Sequence, residues 1–495
     1  MCGILGIAGR SNVAAEIFDG LTVLQHRGQD ASGISTLNHD GKFFLKKGNG
    51  LVRDVFRARH IFKLAGNFGI GHVRYPTAGS NSDLEAQPFF VNSPFGITLA
   101  HNGNVTNTEK LAQEIFDTDL RHLETGSDSE IILNIFAHEL AQQNVKILEP
   151  KNIFSAIEAT QKRIKGSFAV VLMISGAGLV AFRDRNGIRP LCFGVRKNIS
   201  GEKEFAVSSE SAVFSPLGFE KISDLAPSEA IFIDKNLNLH QKICAKKTEF
   251  KPCIFEYVYL ARPDSVLDKI SVYKSRLRMG ENLAKKIKKN IGKNKIDVVI
   301  PIPETSRPIA MQLANSLKIK FREGFVKNRY IGRTFIMPGQ KIRKKSIRYK
   351  LSPVDLEFRN KNVLLVDDSI VRGNTSKEII KMAREAGAKK VFFCSAAPPI
   401  RHPCVYGVDM PIRSEFIATG IYEKKIAEII GADEIFFQDL PDLIAAVNFK
   451  KTKINFCDAC FSGNYPTKLE KNFLENFEKI REKNGKKNDN PLTLL

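Results

Sequence analysis

Hydrophobic and polar positions along this chain change rhythm near its middle. Up to about residue 235, short apolar stretches are separated by glycine-rich turns, as in residues 96–100 and 167–173. Residues 169–182 are apolar but interrupted by Ser175, Gly176 and Gly178. That pattern predicts two strands and a turn, and the stretch is too short to span a bilayer. Ala14, Ile17, Phe18, Leu21 and Leu24 recur at helical spacing and predict a helix over 13–25. A second helix is predicted from Ser127, where Ser127 and Glu130 make a capping-box pattern ahead of Ile131, Ile132, Ile135 and Phe136. Many strands with few helices predict a layered α+β domain.

From about residue 295 the apolar stretches stop alternating. Residues 296–301, 362–366 and 390–396 read as continuous apolar strands, with a helix over 377–386 closed by Gly387. Such strands, interleaved with helices, predict a parallel, doubly wound α/β sheet covered on both faces. Residues 234–251 are polar and weakly periodic and read as the boundary. The expected layout is one domain over 2–235, a second over 252–467, and a basic tail over 468–495 whose helix frays.

Length and charge add limits. A chain of 495 residues exceeds one ordinary core. Its formal charge of +22 is met either by lysine-rich surface helices or by an anionic partner. No zinc-finger spacing or aromatic RNA-binding pattern is present, so a phosphorylated small molecule is the better expectation and nucleic acid the weaker one. The basic residues 341–350 suit a loop that meets phosphates. No signal-peptide pattern opens the chain, so a cytoplasmic protein without a membrane anchor is expected. In a reducing compartment the eight cysteines are not expected to form disulfides.

Cys2 follows Met1 directly. Removal of the methionine would put a thiol and a free α-amine on one residue. That amine titrates near pH 8 and can serve as base for its own thiol. A lone Cys2 is usually incidental; its company matters here. Cys2-Gly-Ile-Leu-Gly6, Leu24-Gln-His-Arg-Gly-Gln-Asp30, Gly71-His-Val-Arg-Tyr-Pro-Thr77, His101-Asn-Gly-Asn104 and Gly126-Ser-Asp128 occur in that order. The set resembles the glutaminase domain of class II, N-terminal-nucleophile amidotransferases, a layered αββα fold. The resemblance implies that Cys2 is the nucleophile and that Asn102 and Gly103 form the oxyanion hole. It implies that Arg74 pairs the α-carboxylate of glutamine, that Asp128 takes its α-ammonium, and that Arg27, Gly28 and Thr77 line the pocket. Gly in an Asn-Gly turn would let a backbone N–H face the site, and a forked guanidinium suits a carboxylate. His26, His72 and His101 are expected to be scaffold.

Residues 363–376, Val-Leu-Leu-Val-Asp-Asp-Ser-Ile-Val-Arg-Gly-Asn-Thr-Ser, end a strand in two carboxylates, then a small-residue loop and a helix start. A helix N-terminus offers unpaired N–H groups and the positive end of its dipole to an anion. The bland alternative is an ordinary capping turn. The segment is not a Walker A motif, lacking its Gly-Lys-Ser/Thr ending. It resembles the phosphoribosyl pyrophosphate motif of type I phosphoribosyltransferases. Glu256-Tyr-Val-Tyr-Leu-Ala-Arg-Pro-Asp264, Pro301-Ile-Pro-Glu-Thr-Ser306 and Gly324-Phe-Val-Lys-Asn-Arg-Tyr330 extend the resemblance to the amidophosphoribosyltransferases. By that resemblance Asp367 and Asp368 hold the ribose hydroxyls and Mg²⁺, with Thr305 nearby. Ser369 also binds the phosphoribosyl pyrophosphate, and Ile370, Val371, Arg372, Gly373, Asn374, Thr375 and Ser376 wrap the 5′-phosphate. A loop over 326–350, with Tyr330 at its junction, closes over the substrate and completes an ammonia channel.

Cys457-Asp-Ala-Cys460 is a CxxC pair, while Cys253 and Cys404 are remote in sequence and Cys394 reads as core. One branch of the same family carries a 4Fe-4S cluster, and Cys253, Cys404, Cys457 and Cys460 match its ligand positions. Zinc held by the same thiolates is the runner-up, then free thiols.

The implied reaction releases ammonia from glutamine and uses it to displace pyrophosphate from 5-phosphoribosyl 1-pyrophosphate, giving 5-phosphoribosylamine. A tetramer inhibited by purine nucleotides is likewise implied. A hexosamine-phosphate synthase would share the first half, but residues 367–376 argue against it. A non-catalytic DNA-binding regulator would share the second half, but the glutaminase motifs argue against that.

Overall fold

The computed structural model describes residues 2–75, 83–291, 295–328, 347–449, 453–470 and 472–479. Thr77, Tyr330 and most of the expected loop over 326–350 lie outside these residues. So do 480–495 of the tail.

The N-terminal half is two antiparallel sheets stacked face to face. One has seven strands: β1 (Gly3–Ala8), β2 (Ala31–Leu37), β3 (Phe43–Asn49), β4 (Phe68–Arg74), and three more, Cys192–Lys197, Lys203–Ser208 and Glu220–Asp224. β1 and β4 pair at its centre. The other has six: β5 (Phe89–Val91), β6 (Ile97–Val105), β7 (Gly166–Ile174), β8 (Gly178–Arg183), Glu229–Asp234 and Leu239–Ile243. Ile4, Ile70, Ala100, Val171 and Leu179 fill the space between the sheets. The helix Ala14–Val23 covers the outer face of the first sheet through Ile17 and Leu21. The helices Asp128–Ala141 and Pro150–Arg163 cover the second through Ile132, Phe136 and Ile157. This is the αββα layering.

Three local expectations differ from the structure. Leu239–Ile243 pairs with Glu229–Asp234, inside the segment read as a boundary. As an exposed edge strand it needs no apolar run, which is why its sequence is polar. Ser127 caps the helix Asp128–Ala141, accepting from Ser129 N at 3.3 Å. Glu130 does not close a capping box. It accepts from Glu124 N and Thr125 N, both at 2.9 Å, and so fixes the approach to the helix. His101–Asn104 is no turn either: β6 runs straight through it.

The C-terminal half holds a five-stranded parallel sheet in the order Lys320–Phe321, Val298–Pro301, Asn362–Asp367, Lys390–Ser395, Glu434–Phe437. In chain order this is 2-1-3-4-5, with the order reversing between Val298–Pro301 and Asn362–Asp367. A ligand in such a sheet settles at the carboxyl ends of strands flanking that switch point. Helices Val272–Asn290 and Arg307–Leu317 cover one face, and Asn374–Glu385 and Glu423–Ile430 the other. The tail does more than fray within its described part: a helix over 473–479 packs Phe473, Leu474 and Phe477 on the core. No helix among the described residues is long and apolar enough to cross a membrane.

Candidate functional site

Cys2 lies at the start of the central strand pair of the first sheet, where β1 leads away from β4. Its Sγ is 3.7 Å from Tyr75 O. Its N donates to Asn102 Oδ1 at 3.2 Å, so β6 of the second sheet reaches across to the nucleophile. The other end of that amide, Asn102 Nδ2, is buried without a partner among the described residues. A buried amide donor is rarely left so, and this one belongs to the side chain that accepts from Cys2 N. Gly103 follows with φ +155°, and a Cβ there would sit 2.1 Å from Ser167 O. Glycine is required by the close approach of two strands, rather than by a turn.

Arg74 ends β4, buried, in contact with Glu85. Asp128 opens the helix Asp128–Ala141. Its Oδ2 accepts from Val105 N at 3.0 Å, and its Oδ1 is 3.7 Å from His101 Nδ1. Burial works against its charge, but His101, Val105 N and Ser129 together hold it below the usual carboxylate range. His101 and Ser129 are 3.1 Å apart, which supports the scaffold reading of that histidine.

Arg27 does not line a pocket. Its guanidinium is fully buried, donating from Nε to Cys2 O at 3.0 Å and from Nη2 to Glu256 Oε1 at 2.9 Å, and pairing with Glu210. Gly28 is packed on the Val73–Arg74 backbone, where a Cβ would meet Val73 C at 2.5 Å. The physical reason is charge: two buried carboxylates from elsewhere in the chain need a cation, and Arg27 supplies it. Glu256, on the single wide turn Glu256–Leu260, also meets Arg189 Nη1 at 3.3 Å. Glu210 further accepts from Arg262 N at 2.9 Å and Ser265 Oγ at 2.7 Å. Burial opposes its charge, yet His26 and Arg27 hold its carboxyl far below the ordinary range. The helix Val272–Asn290 supplies Arg276, which donates to Tyr257 O at 3.1 Å and Ala261 O at 2.7 Å. Burial lowers its pKa to about 10, against the attraction of Asp368 and Glu210. Glu256 opens a motif that the sequence shows, but its role as a buried partner of Arg27 is not legible there, and Glu210 and Arg189 carry no local sequence signature. Only a charged residue inside an otherwise apolar helix face, as at Arg276, hinted at one.

The second centre sits at the switch point. Asp367 ends its strand and Asp368 follows, its N donating to Asp367 Oδ1 at 2.9 Å, with Ser369 Oγ on Asp368 Oδ1 at 2.8 Å. Burial pushes both carboxyls up, Asp368 to about 6. Ile302 N donates to Val366 O at 2.9 Å, bringing the turn that carries Thr305 alongside this loop. Gly373, φ +76°, precedes the helix Asn374–Glu385 without a side-chain cap, so Asn374, Thr375 and Ser376 form its first turn. Ile370 is core and Val371 O accepts from Ile417 N at 3.0 Å. The Arg372 side chain turns outward to Glu415 at 2.8 Å, leaving only its backbone in the loop.

Four cysteines converge between the halves. Cys253 and Cys457 bridge as parallel residues, and Ile254 N donates to Cys457 O at 3.1 Å. Arg401 N and His402 N donate to Cys460 O, and Cys404 Sγ accepts from Tyr406 N at 3.4 Å. All four are buried. Among the described residues no three His, Cys, Asp or Glu side chains come close enough for a single ion. Cys394, by contrast, is inside the parallel sheet, as expected of a core residue.

Glutaminase layering with a buried thiol and an amide donor unpaired among the described residues, joined to a parallel sheet with paired acids at its switch point, defines a glutamine amidotransferase coupled to a phosphoribosyltransferase. The comparisons agree. Residues 72–216 match a glutamine amidotransferase domain, and residues 270–407 a phosphoribosyl transferase domain. The chain is 59% identical to the amidophosphoribosyltransferase of Pseudomonas aeruginosa, over 97% of this chain and 96% of that one. It is 56% identical to that of Escherichia coli, over 98% and 97%. A solved glutamine phosphoribosylpyrophosphate amidotransferase from B. subtilis, complexed with ADP and GMP, superposes with a TM-score of 0.83 at 33% identity, covering 95% of this chain and 98% of that one. The chain belongs to the amidophosphoribosyltransferase family. Its reaction is the first step of purine biosynthesis: ammonia from glutamine replaces the pyrophosphate of 5-phosphoribosyl 1-pyrophosphate.

Proposed function

We propose that Cys2, as the amino-terminal residue of the working enzyme, is the glutaminase nucleophile. Its α-amine takes the thiol proton, and the sulfur attacks the glutamine amide carbon. Asn102 Nδ2 and Gly103 N–H receive the oxyanion, the α-ammonium returns its proton to the amide nitrogen, and the C–N bond breaks to release ammonia and leave a glutamyl thioester on Cys2. Water then frees glutamate. Arg74 and Asp128 bind the two charged ends of glutamine, with Thr77 in the pocket, while Arg27 fixes the backbone of Cys2. The observation that carries this reading is the partnerless Asn102 Nδ2 beside Cys2.

In the second half, Asp367 and Asp368 hold the ribose hydroxyls, and the backbone of Ser369–Ser376 holds the 5′-phosphate at the helix N-terminus. Two buried acids whose charge is disfavoured suit a divalent cation, and Mg²⁺ commonly binds through one or two carboxylates plus substrate phosphates. Asp367 and Asp368, with Thr305 nearby, would hold it, and its charge would steady the departing pyrophosphate. The protein contributes positioning; Tyr330 and the loop over 326–350 exclude water while ammonia crosses.

The four cysteines fit a 4Fe-4S cluster better than zinc. All four are buried, Cys253 bridges to Cys457, and Cys404 Sγ accepts from Tyr406 N. Buried thiols of this kind resist ionising alone, and a cationic core would draw off their protons. The B. subtilis relative solved with ADP and GMP supports regulation by purine nucleotides; the homotetramer and the cytoplasmic setting rest on the family resemblance alone. The test is stoichiometry: purified enzyme should release glutamate and pyrophosphate one for one, and only with both substrates present. Glutamate release at the same rate without phosphoribosyl pyrophosphate would contradict coupled centres.

A further inference from the structure

The strand that carries Asn102 and Gly103 is pressed against the phosphoribosyl half over residues 405–407. Asn104 Nδ2 donates to Val405 O at 3.0 Å, and Ser167 Oγ donates to Tyr406 O at 2.9 Å. Gly407 lies on Gly103 itself. A Cβ added at Gly407 would sit 2.6 Å from Gly103 O, and its φ of +94° already demands glycine. On the other side, Tyr406 N donates to Cys404 Sγ at 3.4 Å. Three residues therefore separate the four-cysteine site from the backbone that presents the Gly103 N–H.

A second line runs through Arg189. Ile188 O accepts from Cys253 N at 3.1 Å, and Arg189 Nη1 meets Glu256 Oε1 at 3.3 Å. Glu256 in turn holds Arg27, whose Nε is on Cys2 O. The two lines meet the glutaminase centre at its two decisive points, the oxyanion donor and the backbone of the nucleophile.

We infer that Gly407, with Val405, Tyr406 and Arg189, positions the oxyanion hole and the nucleophile of the glutaminase half, and that the four-cysteine site anchors these residues. None of them touches glutamine. The anchoring half rests on the cluster reading above; the contact of Gly407 with Gly103 stands without it. Donors in an oxyanion hole act only when aligned, and a misplacement of about 1 Å can cost about a hundredfold in rate.

The experiment compares two labels of Cys2: a diazo ketone analogue of glutamine, which needs the substrate pocket, and iodoacetamide, which needs only the thiol. In Gly407→Ala, iron content, visible absorption and ammonia-dependent turnover should be unchanged. Diazo ketone labelling should slow by about tenfold or more, with iodoacetamide labelling within about twofold. Ser167→Ala, which removes one bond and adds no bulk, should show the same split at smaller size. Wild-type enzyme stripped of iron with an oxidant and a chelator should show it too. Normal diazo ketone labelling in both variants overturns the positioning role. Slow variants beside a stripped wild type that labels normally overturn the anchoring. An enzyme that holds no iron after reconstitution removes the cluster reading and the anchoring together, and the two variants still decide the role of Gly407.

Discussion

Glu256 is shared between two arginines: its Oε1 lies 2.9 Å from Arg27 Nη2 and 3.3 Å from Arg189 Nη1, with all three side chains essentially out of solvent. This carboxylate comes from the phosphoribosyl half, and both cations come from the glutaminase half. Removing it leaves Arg27 with Glu210 and takes the Glu256 carboxylate away from Arg189. Glu256→Ala should destabilise the folded chain by about 3–5 kcal/mol. Chemical denaturation followed by tryptophan-independent circular dichroism is the measurement, since the chain has no tryptophan.

Glu210 predicts the acid behaviour. Its carboxyl is held far below the ordinary value of 4.5 by His26 and Arg27, despite burial. A depressed pKa means that the folded state binds fewer protons than the unfolded one. The resulting stability is fully present above about pH 4.5 and is lost as pH falls below it. Glu210→Gln should therefore flatten the dependence of stability on pH below about 4.5. Equilibrium denaturation across that range checks it.

Asn102→Ala should lower glutamine-dependent kcat by about a hundred- to a thousandfold, the usual loss when one oxyanion donor goes. Turnover with ammonia should persist. Steady-state kinetics with the two nitrogen sources separate these outcomes.

Asp368→Asn should act in the opposite half. Turnover with glutamine and turnover with ammonia should fall together, by about a hundredfold or more, because both need the ribose held. A variant that spared the ammonia reaction would remove Asp368 from the phosphoribosyl site.

The sequence made the architecture legible where the chain speaks locally. The continuous apolar strands around Val298–Pro301 and Asn362–Asp367, with Asp367 and Asp368 at a strand end, announced the parallel sheet and its paired acids, while the switch point follows from the strand order that only the fold gives. Ordered motifs around Cys2, Asn102, Arg74 and Asp128 announced the glutaminase half. Long-range charge did not show. Arg27 read as pocket lining because nothing nearby reveals that Glu210 and Glu256 return to bury it. The Asn102-Gly103 pair read as a turn because local propensity favours one, whereas pairing with Phe168 and Ala169 keeps it extended. Leu239–Ile243 read as linker because an edge strand can be polar on both faces.

The most direct test of the account is Cys2→Ala assayed with each nitrogen donor. The account predicts that glutamine-dependent formation of 5-phosphoribosylamine disappears while the ammonia-dependent reaction continues at a rate near that of the unaltered enzyme. Glutamine-dependent turnover that survives the substitution would contradict it.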